Sequence, residues 1–245
     1  MHRVLVPPDA FQGDAVIVTD RRQLHHLRNV LRVAPGDGLE CFDGAGEAYR
    51  GVVVRSTPRE LIVEVRQRHR AASPVTRLIL AQALIRPERF ERLLQQATEL
   101  GVERVIPLVT ERTTVRMTGS PSERKRLRWE RIMSEAARQC GRKTLPHLEA
   151  PRTLAETLPM FHDGMLVVIP TLATPAATMG EILSGQPAVS VAAALIGPEG
   201  DFTPSEVLMA QRCGAKPVSL GPLTLRSETA AIVTLTLLQR AAGVL

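Results

Sequence analysis

The chain has 245 residues, with 31 Lys and Arg against 25 Asp and Glu for a net charge of +6, and 44% apolar, 23% charged and 3% aromatic residues. This balance excludes a disordered or fibrous chain; no apolar run approaches ~18 residues and MHRVLVPPDAF lacks a secretory leader, so a soluble, cytoplasmic protein with a sizeable core is expected. Cys41, Cys140 and Cys213 are scattered without CxxC spacing, which argues against a disulfide framework or a zinc site and predicts reduced, structural thiols.

In chain order, RVLV, AVIVT, LECFD, AYRGVVVR and ELIVEVRQ read as short strands, with one helical patch, RRQLHHLRNVLR, between the second and third. They predict a small N-terminal β-barrel over 1–72. DGAGEAY contains a G-x-G, but a strand follows it, so it reads as a hairpin turn and not a dinucleotide site. HRAASP at 69–74 reads as a linker.

From Thr76 strands alternate with helices, the pattern of a largely parallel sheet in an α/β domain over 73–245. RLILAQAL is a strand. PERFERLLQQATELG is a helix opened by Pro87, with Phe90, Leu93, Leu94, Ala97 and Leu100 on one face and Gly101 as its stop. RVIPLV follows as a strand. Ser120 and Glu123 have capping-box spacing ahead of a helix whose Trp129, Ile132, Met133, Ala136, Ala137 and Cys140 share a face, which makes Cys140 a small core residue. MLVVIP, VAAALIG and PVSL are three further strands.

Charge is unevenly spread: +2 over 1–72, +6 over 73–150 and −2 over 151–245. The central excess includes Arg124, Arg128 and Arg131 on the polar face of the Trp129 helix, and fits either a solvated helix face or attraction to a nucleic-acid backbone. The scarcity of aromatics excludes base-stacking platforms.

The last three strands run into loops rich in Gly, Pro or small residues: TLATPAAT, PEGDFTPSE and GPLTLRSETAAI. Ligands of open α/β sheets bind at the carboxyl ends of strands, so these loops predict one pocket wall. Thr203 reads as an N-cap with Pro204 at the first helical position, Glu206 closing a capping box, and Phe202 with Val207 as a staple. Ser227 reads as the N-cap of a last helix, 228–241, apolar almost all round and therefore buried in a core or a subunit interface. There is no GxSxG elbow, no Walker A lysine and no HExxH, and the adjacent His25 and His26 cannot share a metal.

LIGPEG (195–200), LGPLTLRSETAA (220–231), ATELGVERVIPL (97–108), RQCGR (138–142) and HLRNVLR (26–32) with FDGAG (42–46) together resemble the RsmE family, the SPOUT-class methyltransferases of small-subunit (16S) ribosomal RNA. The resemblance spans nearly the whole chain in order. It implies a PUA-like barrel, a trefoil-knotted α/β domain, S-adenosylmethionine (SAM) held in the knot, a homodimer, and methylation of N3 of one uridine without a metal. A non-catalytic RNA-binding or ribosome-assembly factor with a degenerate SAM site is the alternative.

On the loops and the resemblance together, the cofactor set is Pro170, Thr171, Ile196, Gly197, Pro198, Glu199, Gly200, Leu220, Gly221, Leu225, Arg226, Thr229 and Ala230. Arg226 is expected to stabilise charge developing on the uracil carbonyls, and either Glu228 or Glu199 to accept the N3 proton. RNA contacts are expected at His25, His26, Arg28, Arg32, Arg124, Arg128 and Arg131, with Gln139 and Arg142 completing the base pocket by resemblance. Gln96, Arg138, Asp201 and Leu223 depart from the family pattern, where Lys, Glu, Gly and a basic residue are usual.

Overall fold

The computed structural model describes residues 1–72, 74–115, 120–172, 176–184 and 189–244, with the side chains of 120–122 outside it. The chain divides into two compact units, Met1–Ser73 with Ser134–Leu145, and Pro74–Met133 with Pro146–Leu245.

The first unit holds a six-stranded sheet of β1 (His2–Leu5), β2 (Phe11–Gln12), β3 (Ala15–Val18), β4 (Gly38–Phe42), β5 (Glu47–Ser56) and β6 (Leu61–Arg70), in the order β1-β4-β5-β6-β3-β2. Only the β1–β4 pairing is parallel. Alternate residues turn inward, as period-2 geometry requires, so Val16, Val18, Leu39, Cys41, Leu61 and Val63 share one core. The DGAG turn is the hairpin expected: the Asp43 carboxylate accepts from the amides of Ala45 and Glu47 at 2.7 and 3.0 Å. The helical patch is α1 (Arg21–His25), capped by Asp20 through the Gln23 amide at 2.9 Å, and continues into a π-type turn, His26–Val30. Leu24 and Leu27 plug the core. Residues 69 and 70 belong to β6, which pairs with Glu47 and Ala48, so the expected linker starts later than its composition suggested.

The second unit is a parallel sheet. In chain order its elements are β7 (Arg77–Ala83), α2 (Pro87–Glu99), β8 (Arg104–Val109), α3 (Ser120–Cys140, which belongs to the first unit from Ser134 on), β9 (His147–Leu148), β10 (Arg152–Thr153), α4 (Leu154–Thr157), β11 (Leu166–Pro170), β12 (Ala177–Thr178), α5 (Met179–Ser184), β13 (Val191–Ile196), α6 (Pro204–Arg212), β14 (Lys216–Ser219) and α7 (Ser227–Ala241). The strand order is β10-β8-β7-β13-β11-β14-β12, with β9 on β8. The strands β7, β8, β11 and β13 each feed two cores. Leu78 and Leu80 of β7 pack with Phe90, Leu93, Trp129, Ala231 and Leu235 on one face, while Ile79, Ala81 and Ala83 pack with Leu154, Phe202 and Val207 on the other. β14 enters between β11 and β12, two strands laid down earlier, and β13, β11 and β14 are consecutive neighbours. Their carboxyl ends therefore open onto one place.

One expectation about a helix is corrected. Cys140 is exposed and not a core residue, because it is the last residue of α3, and Gly141 at φ 86° turns the chain away before anything packs over it. Cys213, at the C-cap of α6, is exposed as well, leaving Cys41 alone buried. α7 buries a stripe of Ala231, Thr234, Leu235 and Leu238, while Ile232, Val233 and Leu237 are half-buried. No helix among the described residues is long and apolar enough to cross a membrane.

Candidate functional site

The three strand-end loops line a cavity of about 300 Å³. Pro170 ends β11 and is followed in the lining by Thr171, Leu172 and Ala176; Ile196 ends β13 and is followed by Gly197, Pro198, Glu199 and Asp201; Ser219 ends β14 and is followed by Leu220, Gly221, Pro222, Leu223, Thr224 and Leu225; Ser227 and Ala230 of α7 complete the wall. Ten of the thirteen residues expected to hold the cofactor line it; Gly200, Arg226 and Thr229 do not. The lining alternates apolar side chains with loop backbone, which suits a small ligand having a flat apolar body and a polar edge.

Each loop is fixed by a different device. The loop after β13 ends in the expected cap: Thr203 accepts from the Glu206 amide at 3.3 Å, and the Glu206 carboxylate accepts from the Thr203 amide at 2.9 Å, with Pro204 at the first helical turn. A Cβ on Gly197 would lie 3.0 Å from the Phe202 nitrogen and 3.2 Å from Asp201 backbone atoms, so a side chain there would press on the backbone of this tight turn. Gly221 has φ 117°, a backbone that glycine adopts without strain.

Ser227 corrects its expected role. The N-cap position of α7 is Arg226, without a side-chain cap bond, and Ser227 is the first helical residue. Its buried hydroxyl donates to the Gly197 carbonyl at 2.5 Å and accepts from Gln82 Nε2 at 2.9 Å, bracing the second loop against α7. Sequence spacing could not separate N-cap from N1 here, because both positions favour small polar residues.

Asp201 sits at φ 61°, a left-handed conformation that a side chain other than Asn or Asp rarely takes. Its carboxylate links two loops: Oδ2 accepts from the Leu172 amide at 3.1 Å and the Thr171 hydroxyl at 3.4 Å, and Oδ1 from the Phe202 amide at 2.7 Å. The departure noted in the sequence is thus a loop fastener.

The charged groups at the pocket edge include one the sequence did not single out. Arg89 on α2 lies 3.9 Å from Glu199 Oε1 through Nη1 and 3.8 Å from Glu228 Oε1 through Nε. Both candidate proton acceptors therefore share one cation. Glu228 Oε2 is buried without a hydrogen-bond partner, whereas the Glu199 side chain is 39% exposed. Arg226 is exposed and makes no ion pair among the described residues. Arg89 was legible only as one arginine among several on a polar helix face.

The residues expected to meet RNA divide by unit. In the first unit, His25 and Arg28 line an open cleft of about 550 Å³ with Arg21, Asn29 and Arg59, and Arg32 stands exposed at φ 55°. His26 is different. Burial first, then the neighbouring Arg138, holds its pKa below the ordinary value, and Arg138 Nη1 donates to His26 Nε2 at 2.8 Å, so His26 is a neutral acceptor and not a phosphate-binding cation. Gln139 is exposed, and Arg142 donates from Nε to Thr144 at 3.1 Å. In the second unit Arg124, Arg128 and Arg131 are exposed along α3, with Arg128 paired to Glu91 at 2.7 Å. Among the described residues no cluster of His, Cys, Asp or Glu could hold a metal ion.

Known proteins match this arrangement. An RNA methyltransferase domain model matches residues 71–239 and an RNA methyltransferase PUA domain model matches 13–66. Ribosomal RNA small subunit methyltransferase E of Synechocystis sp. is 35% identical over 241 residues, covering 96% of this chain and 76% of the relative; its namesake in Bacillus subtilis is 28% identical, covering 87% and 85%. The same-named enzyme of Neisseria gonorrhoeae, solved bound to S-adenosyl methionine, superposes with TM-score 0.86 at 26% identity over 98% of this chain and 97% of that one. A Legionella pneumophila protein solved with the bound cofactor SAM gives TM-score 0.85 at 29% identity, covering 98% and 97%.

Proposed function

The chain belongs to the ribosomal RNA small subunit methyltransferase E (RsmE) family, and we propose that it binds SAM in the three-loop cavity and methylates N3 of a uridine in 16S ribosomal RNA. The observation that carries this reading is the convergence of the β11, β13 and β14 loops on one cavity, whose lining residue Glu199 shares the Arg89 cation with Glu228. The residues fit the cofactor: Leu172, Ile196, Leu220, Leu225 and Ala230 offer apolar surface to an adenine, and the surrounding loop amides and carbonyls can read its polar edge. When bound, SAM supplies an electrophilic methyl group on a sulfonium leaving group.

The remaining work falls to side chains. Uridine N3 bears a proton at neutral pH and its lone pair is conjugated, so attack requires an anion-like imide. Glu228 Oε2, buried and unpartnered beside Arg89, is the better acceptor for that proton; Glu199, nearer solvent, holds the other side of Arg89. Arg226, exposed beside the cavity, supplies positive charge where the uracil oxygens become anionic. The arginines of α3 and the cleft around His25 and Arg28 grip the RNA backbone. The half-exposed Ile232, Val233 and Leu237 of α7 form the contact of a homodimer, for which a monomer in sedimentation at micromolar concentration is the adverse result.

The deciding experiment is transfer of labelled methyl from SAM to unmethylated small subunits, followed by nucleoside analysis. N3-methyluridine is the expected product. An inactive wild type that still binds subunits favours a non-catalytic assembly factor, and label on another atom overturns the N3 assignment.

A further inference from the structure

We propose that Arg3, Arg50 and Lys143 form a binding site for phosphodiester groups of the RNA backbone, built around the buried carboxylate of Glu40; this rests on the RNA-methylating reading above. None of the three cations belongs to the arginine-rich face of α3 or to the His25 cleft. The site begins in the strand register. Arg3 lies opposite Glu40 in the β1–β4 pairing, and Glu40 lies opposite Arg50 in the β4–β5 pairing, so three adjacent strands set an Arg-Glu-Arg row across the sheet.

Glu40 is 1% exposed. Its Oε2 accepts from Arg3 Nε at 3.1 Å, its Oε1 from Arg50 Nε at 2.9 Å, and Lys143 Nζ donates to Oε2 as well. Each arginine reaches Glu40 through Nε, which leaves the two-nitrogen edge of the guanidinium for another partner; the side chains are 39% and 46% exposed. Lys143 is steadied over the Phe42 ring, 5.9 Å from its centroid. The Arg3 guanidinium lies against Gly141, where a Cβ would come within 3.0 Å of Cζ. The glycine of the Arg-Gln-Cys-Gly-Arg run thus turns the chain at φ 86° and seats Arg3.

The charge count points to the ligand. One carboxylate faces three cations, so the cluster carries two surplus positive charges at fixed positions. A buried carboxylate needs compensation, but a third cation adds repulsion that a purely structural staple would avoid. An external polyanion relieves it, and the planar guanidinium fork matches phosphate oxygens bidentately. Because both arginines are held by Glu40 before the ligand arrives, little side-chain entropy is lost on binding.

The test uses the full-length protein and unmethylated small subunits, with affinity measured over a series of KCl concentrations. The Arg3→Gln/Arg50→Gln variant keeps Lys143 to compensate Glu40. It is expected to bind at least tenfold more weakly at low salt and to lower the slope of log K against log[KCl] by about 1.4, from about 0.7 per phosphate contact. SAM binding should stay at the wild-type value, and circular dichroism should show the native fold at the assay temperature even though the loss of two Glu40 partners lowers the melting temperature. A wild-type affinity and slope in a variant that is folded would overturn the site. Should the double variant fail to fold, Arg50→Gln alone decides the matter: a slope lowered by about 0.7 supports the site, and an unchanged slope overturns it. A wild type that neither binds nor methylates subunits would instead remove the functional reading and this site with it.

Discussion

The hydroxyl of Ser227 donates to the carbonyl oxygen of Gly197 at 2.5 Å while Gln82 Nε2 donates to it at 2.9 Å, so one buried group joins β7, the loop after β13 and the start of α7. Ser227→Ala removes both bonds and leaves one N–H of the Gln82 amide, which is 0% exposed, without a partner, while the same nitrogen keeps its bond to the Ala83 carbonyl at 2.9 Å. The expected cost is about 1–3 kcal/mol of stability. Because Gly197 lines the cavity, SAM affinity should fall as well. Thermal unfolding and calorimetry read the two effects; an unchanged melting temperature would mean that the loop relaxes without loss.

Asp201 offers a cleaner separation of backbone from side chain. Asp201→Gly relieves the left-handed strain at φ 61°, worth about 1 kcal/mol, yet loses the acceptors for the Leu172 and Phe202 amides. Asp201→Asn tolerates the same φ and keeps a carbonyl acceptor. SAM dissociation constants should therefore rise in the order wild type, Asn, Gly, with the Gly variant at least as stable to heat as the Asn variant. A Gly variant that binds SAM as well as wild type would show that the two loops do not need fastening.

At the edge of the cavity, Arg89→Ala removes the cation shared by Glu199 and Glu228. Single-turnover methyl transfer should slow at least tenfold, about 1.4 kcal/mol of barrier, and Glu228→Gln should slow it by about 10² or more. Glu199→Gln should have the smaller effect. If Glu199→Gln proves the more damaging, the proton acceptor is Glu199.

Much of this arrangement was legible beforehand because it rests on short-range rules. Short, nearly continuous apolar runs marked β7, β8, β11 and β13, as strands buried on both faces of a parallel sheet require, and Thr203, Pro204 and Glu206 marked the start of α6 down to the residue. Three Gly- and Pro-rich loops after strands pointed to one pocket, since parallel strands present their carboxyl ends together. Illegible were the two-residue strands β2, β9, β10 and β12, too short for any periodicity. Arg89, Asp201 and the Glu40 cluster were also missed as functional groups, because each acts through partners between 10 and 139 residues away that only the strand order brings near. The exposure of Cys140 was missed because helical periodicity assigns a face but not where the covering elements stop.

The cysteines provide a chemical check. Burial, with Glu40 adjacent, pushes the Cys41 thiol up to about 12, so it holds its proton and stays shielded in the sheet core. Cys140 and Cys213 are exposed. A thiol reagent at pH 8 should label two cysteines per native chain, with the third appearing only in denaturant. Rapid labelling of Cys41 in the native protein would contradict the packing of β4.

Glu40 gives the last expectation, a dependence of stability on acid. Burial alone would raise its pKa, but hydrogen bonds from Lys143, Arg50 and Arg3 outweigh that and hold it at about 2, against 4.5 for an ordinary glutamate. A group whose pKa is lower folded than unfolded contributes stability above the unfolded value and loses it as pH falls through the folded one. The Glu40 contribution should therefore be complete above about pH 5 and disappear between pH 4.5 and pH 2. The shift sets an upper bound of about 3 kcal/mol, reduced because Arg3 and Arg50 are partly solvated. In Glu40→Gln the amide no longer titrates, so the drop in stability across that window should shrink by up to this amount while stability at pH 7 falls. Denaturant unfolding at pH 3, 4, 5 and 7 measures it. Parallel pH profiles for wild type and Glu40→Gln would show that the three cations do not hold the carboxylate as the strand register implies.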